Sequence, residues 1–434
     1  MKSANFTRFW LGQTLSQFGT RTGALGLSVT AVGLLHAGSR EVGVLTAAST
    51  VCYLLIGLPA GAWVDRMPKR RTLMWAALVR ASAVLTVPAL WLAGGLRMEA
   101  LYAVAAVVGL AAVFFDVACQ SYVPVLVADE DIGPANARLE ATAQLSTLGG
   151  PALAGLLMRV VSAPVVMLVD AASYLASFLC LSVTKDNEQR PAPTCGDGAR
   201  GRLRADIAEG LRFVRDQPVI RRLALSMGVS NFFATMVATL VPVLVMRTLG
   251  FDAFMLGLIM TCGAAGGVLG AMLAPVARRR FSAGTVMAAG LITAASCTAA
   301  GPLAAAVAPY GTAPAGAVLL VGEFGMAVGA LLYNVTQVSL RQTLCPKLLL
   351  GRMNASIRFV VWGGMPVAAL AAGWLGQSVG VVPTLWIGVA AGVATVLPVL
   401  TVDRIMAADT ARPAARGDEA AAAVADSTGL TTLR

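Results

Sequence analysis

Long apolar runs follow one another along this chain, separated mostly by short polar gaps. A bilayer-spanning helix needs about 20 apolar residues. Twelve runs qualify, near 9–35, 42–64, 72–94, 99–127, 136–160, 163–183, 219–247, 253–277, 283–307, 313–341, 352–379 and 381–403. Only 13% of the 434 residues are charged, against roughly 25% in soluble domains. The pattern predicts an all-α integral membrane protein. Bases concentrate in alternate gaps: Arg66, Lys69, Arg70 and Arg71; Arg138; the 184–217 segment; Arg278, Arg279 and Arg280; and Arg341, Lys347 and Arg352. The other gaps hold little beyond Arg40, Arg97, Arg159 and Arg247. The base-rich gaps are expected on the cytoplasmic face of a cell membrane (plasma or inner), with both termini there. That distribution accounts for the net charge of +11 without nucleic acid.

The same composition limits the chemistry. Seven cysteines, an odd number, form no CxxC and lie mostly inside apolar runs, which argues against a disulfide framework or a zinc site. His36 is the only histidine, so neither histidine-based metal sites nor catalytic triads are expected. No GxxxxGK[ST] phosphate loop occurs. We expect no cofactor, no metal and no enzymatic constellation. Energy for any transport would then come from an ion or substrate gradient. The first run starts near Phe9 without a short apolar core and small-residue cleavage pattern, and reads as a retained helix.

The 184–217 segment divides the runs into six and six. Lys185 to Gly201 is rich in Pro, Gly and charge and reads as a linker. Leu203, Ile207, Leu211 and Val214 then form one apolar stripe, with Arg204, Asp206, Glu209, Arg212 and Arg215 facing away. That spacing predicts an amphipathic helix on the membrane surface or against the bundle. The expected organisation is a bundle over 1–183, this linker over 184–217, a second bundle over 218–404, and a disordered tail over 405–434. The halves repeat one another. At an offset of 333 − 115 = 218, Phe115-Asp116-Val117 pairs with Tyr333-Asn334-Val335, Ser121 with Ser339, and Asn136-Ala137 with Asn354-Ala355. At 270 − 61 = 209, Gly57, Gly61, Ala62, Lys69, Arg70 and Arg71 pair with Gly266, Gly270, Ala271, Arg278, Arg279 and Arg280, while Asp65 pairs with Ala274. Duplicated six-helix halves mark secondary transporters.

Gly61, Asp65, Arg66, Arg70 and Arg71, between the second and third runs, resemble the Gly-x-x-x-Asp-Arg/Lys-x-Gly-x-Arg/Lys-Arg/Lys motif of the major facilitator superfamily, with Pro68 where that family usually has Gly. Phe115-Asp116-Val117-Ala118, Gln120-Ser121-Tyr122-Val123-Pro124, Ala135-Asn136-Ala137-Arg138-Leu139 and Glu209-Gly210-Leu211-Arg212-Phe213-Val214 resemble its drug and macrolide efflux branch, which includes enterobactin-type exporters. Thr20 and Arg21 stand where that branch often carries an Asp. Gly150, Pro151 and Gly155, in the stretch starting at Ser146, resemble the superfamily's antiporter motif. The resemblance implies a twelve-helix fold of two pseudo-symmetric six-helix bundles working by alternating access. It also implies a gate at the Gly61–Arg71 motif and outward transport.

Charges inside apolar runs cost at least ~2.5 kcal/mol at a helix centre and default to functional candidates. They are Arg21, Arg80, Asp116, Glu140, Asp170, Glu323 and Arg358. Asp116 is the leading proton-coupling candidate; the alternative is a structural ion pair with Arg80 or Arg21. Glu323 is a second proton site or a cation-binding acid. Asp170 is placed on a peripheral packing helix, Glu140 and Arg138 near a gate, and Arg358 near the membrane surface. A mixed polar and apolar cavity is sketched by Gln13, Gln17, Phe115, Gln120, Asn231, Phe232, Asn334, Gln337 and Trp362. The expected function is proton-coupled export of hydrophobic drugs or natural products such as macrolides, by a monomer whose partners are that substrate, protons and the bilayer. The rivals are a transporter of a defined metabolite such as a siderophore, and a membrane sensor or scaffold that moves nothing.

Overall fold

The computed structural model describes residues 4–64, 66–184, 212, 214–345 and 350–405. These form helices, with no strand among the described residues. A chain this apolar has to satisfy its backbone groups within each segment, and only helices or closed barrels do so in lipid. Six helices make the first half: α1 (Ala4–Val29), α2 (Ser39–Val64), α3 (Lys69–Leu92), α4 (Met98–Leu126), α5 (Ile132–Leu157) and α6 (Ala163–Ser182). Six make the second: α7 (Pro218–Val243), α8 (Ala253–Arg278), α9 (Ala283–Thr298, continuing as Ala300–Val307), α10 (Thr312–Leu344), α11 (Leu350–Ser378) and α12 (Val381–Ala394, continuing as Leu397–Leu400). Each matches one of the twelve apolar runs within a few residues. The chain is a multi-pass membrane protein.

By length and composition, nine described helices qualify as spans; α1, α5 and α11 do not. Two of them carry polar residues, Gln13, Gln17 and Arg21 on α1 and Arg138, Glu140 and Gln144 on α5. Each meets the opposite half: α11 lies on α2, α5 on α8, and the π-turn that closes α1 touches the one that closes α7. A helix that faces another helix rather than lipid tolerates polar residues. The lipid-facing surface is apolar, with Trp75, Leu92, Leu179, Met272, Val321 and Trp374 exposed.

The side of the bundle where α1 begins is called here the terminal side, and the opposite one the distal side. The halves meet mostly in the distal region. Gly43 of α2 lies directly against Gly373 of α11. Gly155 of α5 lies against Phe254 of α8, and Gly257 of α8 against Pro151. Small residues let these backbones approach closely. One apolar cluster runs through both halves there, through Leu25, Ala154, Leu240, Leu256, Leu319 and Ala372. The α1 and α7 ends match: each closes with a π-helical turn, Thr30–Leu34 and Leu244–Thr248, and the two turns touch. His36 follows the first turn with φ 55°. Its carbonyl and that of Ala37 both accept hydrogen bonds from the Arg247 guanidinium at 3.2 Å.

Of the expected amphipathic helix, Leu203, Ile207 and Leu211 lie outside the described residues, as does the tail from Ala407 onward. Val214 packs against the α7 and α11 residues Ile220, Met353 and Ile357.

Candidate transport site between and within the two bundles

Asp116, on α4, is exposed and accepts a 2.7 Å hydrogen bond from the Tyr53 hydroxyl of α2. The Tyr53 ring meets the Trp362 ring of α11 edge-on, with centroids 5.2 Å apart. A carboxylate of one half thus leans on an aromatic contact with the other. The ion pair with Arg80 or Arg21, weighed as an alternative for Asp116, is not formed. Among the described residues the pair within 4.0 Å is Arg215 with Asp216, away from this site. Arg21 is exposed, and its side-chain stem packs on Gly150.

Arg80 is instead 6% exposed inside the N-terminal half. Its guanidinium lies 4.8 Å from the Phe115 ring centroid and 5.3 Å from that of Tyr174. Aromatic faces attract cations, and more strongly where water is absent. Asp170 of α6, 4% exposed, sits within electrostatic reach of Arg80. The Tyr174 hydroxyl is 2.9 Å from Thr20 Oγ1 of α1. One expectation is corrected here. Phe115 is 2% exposed, packed in the bundle core, so it does not line a cavity. Asp170 lies on α6, which packs on α1 and α3 of its own half, and Gly19 and Gly23 of α1 leave the space that Ser173 and Asp170 fill.

The C-terminal half is hollow at the corresponding place. A partly open chamber of about 290 Å³ is bordered by α7, α9, α10 and α12, with Asn231, Phe233, Thr298, Glu323, Met326 and Asn334 in its wall. Among the described residues Glu323 has no hydrogen-bond or ion-pair partner. Its stem crosses α8 at Gly263, where a Cβ would come within 2.9 Å of Glu323 Cγ. Gln337 donates to Asn334 Oδ1 at 3.0 Å but is itself 1% exposed. It positions Asn334 rather than lining the chamber. Gln17 and Trp362 are half-buried; Trp362 stands at the α2–α11 crossing and Gln17 on α1.

On the terminal side the motif residues divide. Asp65 lies outside the described residues, and Gly61 stands in the last turn of α2. Arg66 and Arg71 are exposed. Arg70 turns inward to α6: its Nε donates to the Leu181 carbonyl at 2.8 Å and its Nη2 to the Ser182 carbonyl at 2.5 Å. Arg8 donates to the Val183 carbonyl at 2.9 Å. A helix C-terminus carries unpaired carbonyls and partial negative charge, and these two cations meet both. The second half has the opposite arrangement at the matching joint. Asp403, just past α12, accepts from the Gly284 N–H at 2.9 Å and from the Ser282 hydroxyl, at the start of α9.

The antiporter-like residues lie where the halves cross, with Gly150 against α1 and Pro151 and Gly155 against α8. Tyr53, Tyr174, Arg247 and Asp403 were missed as candidates. Spacing alone gave no sign of them, because each acts on a residue far away in the chain.

The fold and site define a two-bundle membrane transporter. A Major Facilitator Superfamily profile matches residues 9–365, and the chain belongs to that family. Among characterised relatives it is similar to the multidrug efflux pump Tap of Mycolicibacterium fortuitum, 28% identical over 373 residues, covering 82% of this chain and 87% of Tap. In structure it is similar to a bacterial homologue of the iron transporter ferroportin in an inward-facing state (TM-score 0.75, 17% identity, 93% of this chain and 99% of that one). It is also similar to the nucleoside transporter NupG (TM-score 0.74, 11% identity, 92% and 99%).

Proposed function

We propose that this transporter exports hydrophobic, drug-like compounds, macrolides among them, in exchange for protons across a cell membrane, with both chain ends in the cytoplasm. The observation that carries the reading is the line Asp116–Tyr53–Trp362: an acid on one half, hydrogen-bonded to a side chain that packs on the other. The similarity to a multidrug efflux pump over most of both chains supports the substrate class.

Alternating access needs a charge change that favours one packing of the halves over another. Ionised Asp116 accepts the Tyr53 O–H and holds that ring against Trp362. When Asp116 takes up a proton, the charge-assisted hydrogen bond weakens, and such bonds are roughly twice as strong as neutral ones. The α2–α11 contact is then free to repack. The small-residue crossings at Gly43/Gly373 and Gly155/Gly257 are the surfaces on which the halves rock. Asp65, Arg66 and Arg71 supply the gate on the terminal side, while Arg70 anchors that loop to α6. The protein acts as a monomer.

Purified protein in liposomes with an imposed pH gradient tests this. Wild type is expected to move a macrolide against its gradient and to stop when a protonophore is added. Asp116→Asn should insert normally but lose gradient-driven flux entirely. Unchanged flux in Asp116→Asn would refute proton coupling through this residue.

A further inference from the structure

The chamber inside the C-terminal bundle carries a chemistry that the inter-bundle contact does not. Its wall is mostly apolar, with Phe233 and Met326 beside the polar groups of Asn231, Thr298 and Asn334, and Glu323 supplies its one acidic side chain. No lysine or arginine lines it. Glu323 is half-buried, and a carboxylate partly removed from water is stabilised when a positive charge or a proton meets it. Its volume of about 290 Å³ falls at the lower edge of the roughly 300–1,000 Å³ usual for small-molecule sites. A bare divalent ion is a poor fit, since such ions take about six or more oxygen ligands. No group of three metal-ligating side chains occurs among the described residues.

We propose that this chamber is a binding site for compact organic monocations. The ammonium group would sit at Glu323 and the apolar body against Phe233 and Met326. Aromatic faces such as Phe233 reinforce cation binding. Asn334, exposed at the rim, and Asn231 supply the remaining polar contacts. This deepens the export reading by naming a substrate class, and it places that class within one bundle instead of between the two. The duplication marks it as a feature of this half: at the offset of 218, Glu323 corresponds to 323 − 218 = 105, and Ala105 is 2% exposed in the N-terminal core.

The test is equilibrium dialysis of the full-length protein in detergent micelles, with no gradient, so that failure of proton coupling leaves its outcome untouched. The probes are radiolabelled benzyltrimethylammonium and the neutral, similarly sized N-benzylacetamide. Wild type should bind the cation more tightly. Glu323→Gln, which keeps the side chain's shape, should weaken the cation at least tenfold and change N-benzylacetamide less than threefold. Ala234→Phe, which fills the chamber from α7, should weaken both. The proposal is overturned if wild type does not bind the cation, if Glu323→Gln binds it as wild type does, or if Ala234→Phe leaves both unchanged. Should one variant fail to elute as a folded species, the other still decides.

Discussion

Between α1, α3, α4 and α6, the N-terminal bundle is filled by Arg80, Phe115, Asp170 and Tyr174. Between α7, α9, α10 and α12, the C-terminal bundle borders a chamber with half-buried Glu323 in its wall. One duplicated sequence has given a half whose buried cation lies between aromatic rings and within electrostatic reach of a buried acid, and a half whose acid has no partner among the described residues. The acids are not equivalent positions either. Asp116 aligns with Asn334 and Glu323 with Ala105, eleven residues away, which is roughly 16 Å along a helix at 1.5 Å per residue. The packed charge of the first half belongs to the bundle core, whereas Glu323 is half-buried with no partner among the described residues.

The largest effect expected from this contrast is on folding. Arg80→Ala removes the cation between the Phe115 and Tyr174 rings and the positive charge within reach of Asp170. Losing desolvated cation–π contacts of this kind costs about 2 kcal/mol or more. Unfolding in micelles should show that loss, and Asp170→Asn added to it should restore part. Glu323→Gln should instead leave stability equal to wild type or raise it by roughly 1 kcal/mol. If Glu323→Gln destabilised as much as Arg80→Ala, the contrast between a structural and a waiting charge would be gone.

The next effect concerns the crossings that hold the halves together. Gly257→Leu would force a side chain into Pro151 and Gly155, and overpacking of this kind costs about 1–3 kcal/mol. Expression and insertion should persist while flux falls at least tenfold. The terminal-side joints give a smaller, paired test. Arg70→Ala leaves two α6 carbonyls without a charged donor, for about 1.5–3 kcal/mol. Asp403→Asn keeps most of its hydrogen bonds and loses only its charge at the start of α9, for about 0.3–1 kcal/mol. Equal losses would mean that the two joints, opposite in charge, are matched in strength.

Periodicity and composition made the architecture legible. Every apolar run became a helix, and the six-plus-six division follows from the one long polar gap. The interior was less legible, because partners there come from distant helices. Nothing in the sequence of α6 alone names the neighbour that Asp170 packs against. The glycines of α1 at positions 12, 19, 23 and 26 are the sequence trace of the helix that covers it, since a glycine face admits a close neighbour. Phe115 sits next to Asp116 in sequence, yet adjacent helical residues point about 100° apart. One faces the core and the other the space where the halves meet. Arg70 belongs to a basic run that membrane topology alone would explain, and only the α6 carbonyls, 111 and 112 residues further on, show its use.

Arg247 gives the smallest effect and bears most directly on how the halves move. Among the described residues it is a distal side chain that donates across the halves, reaching the carbonyls of His36 and Ala37 from the matched π-turn of α7. His36 holds a left-handed conformation that few residues other than glycine adopt easily, and that turn helps aim its carbonyl at the guanidinium. One exposed and one part-buried hydrogen bond, each of 3.2 Å, contribute on the order of 0.5–1 kcal/mol together, so Arg247→Ala should unfold no part of the protein. It should shift the balance of the halves toward distal opening by about two- to fivefold. A cysteine placed at Ala37 reports this: its labelling by a membrane-impermeant maleimide should speed up by that factor in Arg247→Ala, and Arg247→Lys should recover part of the protection. An unchanged labelling rate would mean that the apolar cluster around Leu25, Leu240 and Leu256, with the Arg159 guanidinium 3.7 Å from the Phe254 ring centroid, closes the distal side, and that the hydrogen bonds of Arg247 merely follow.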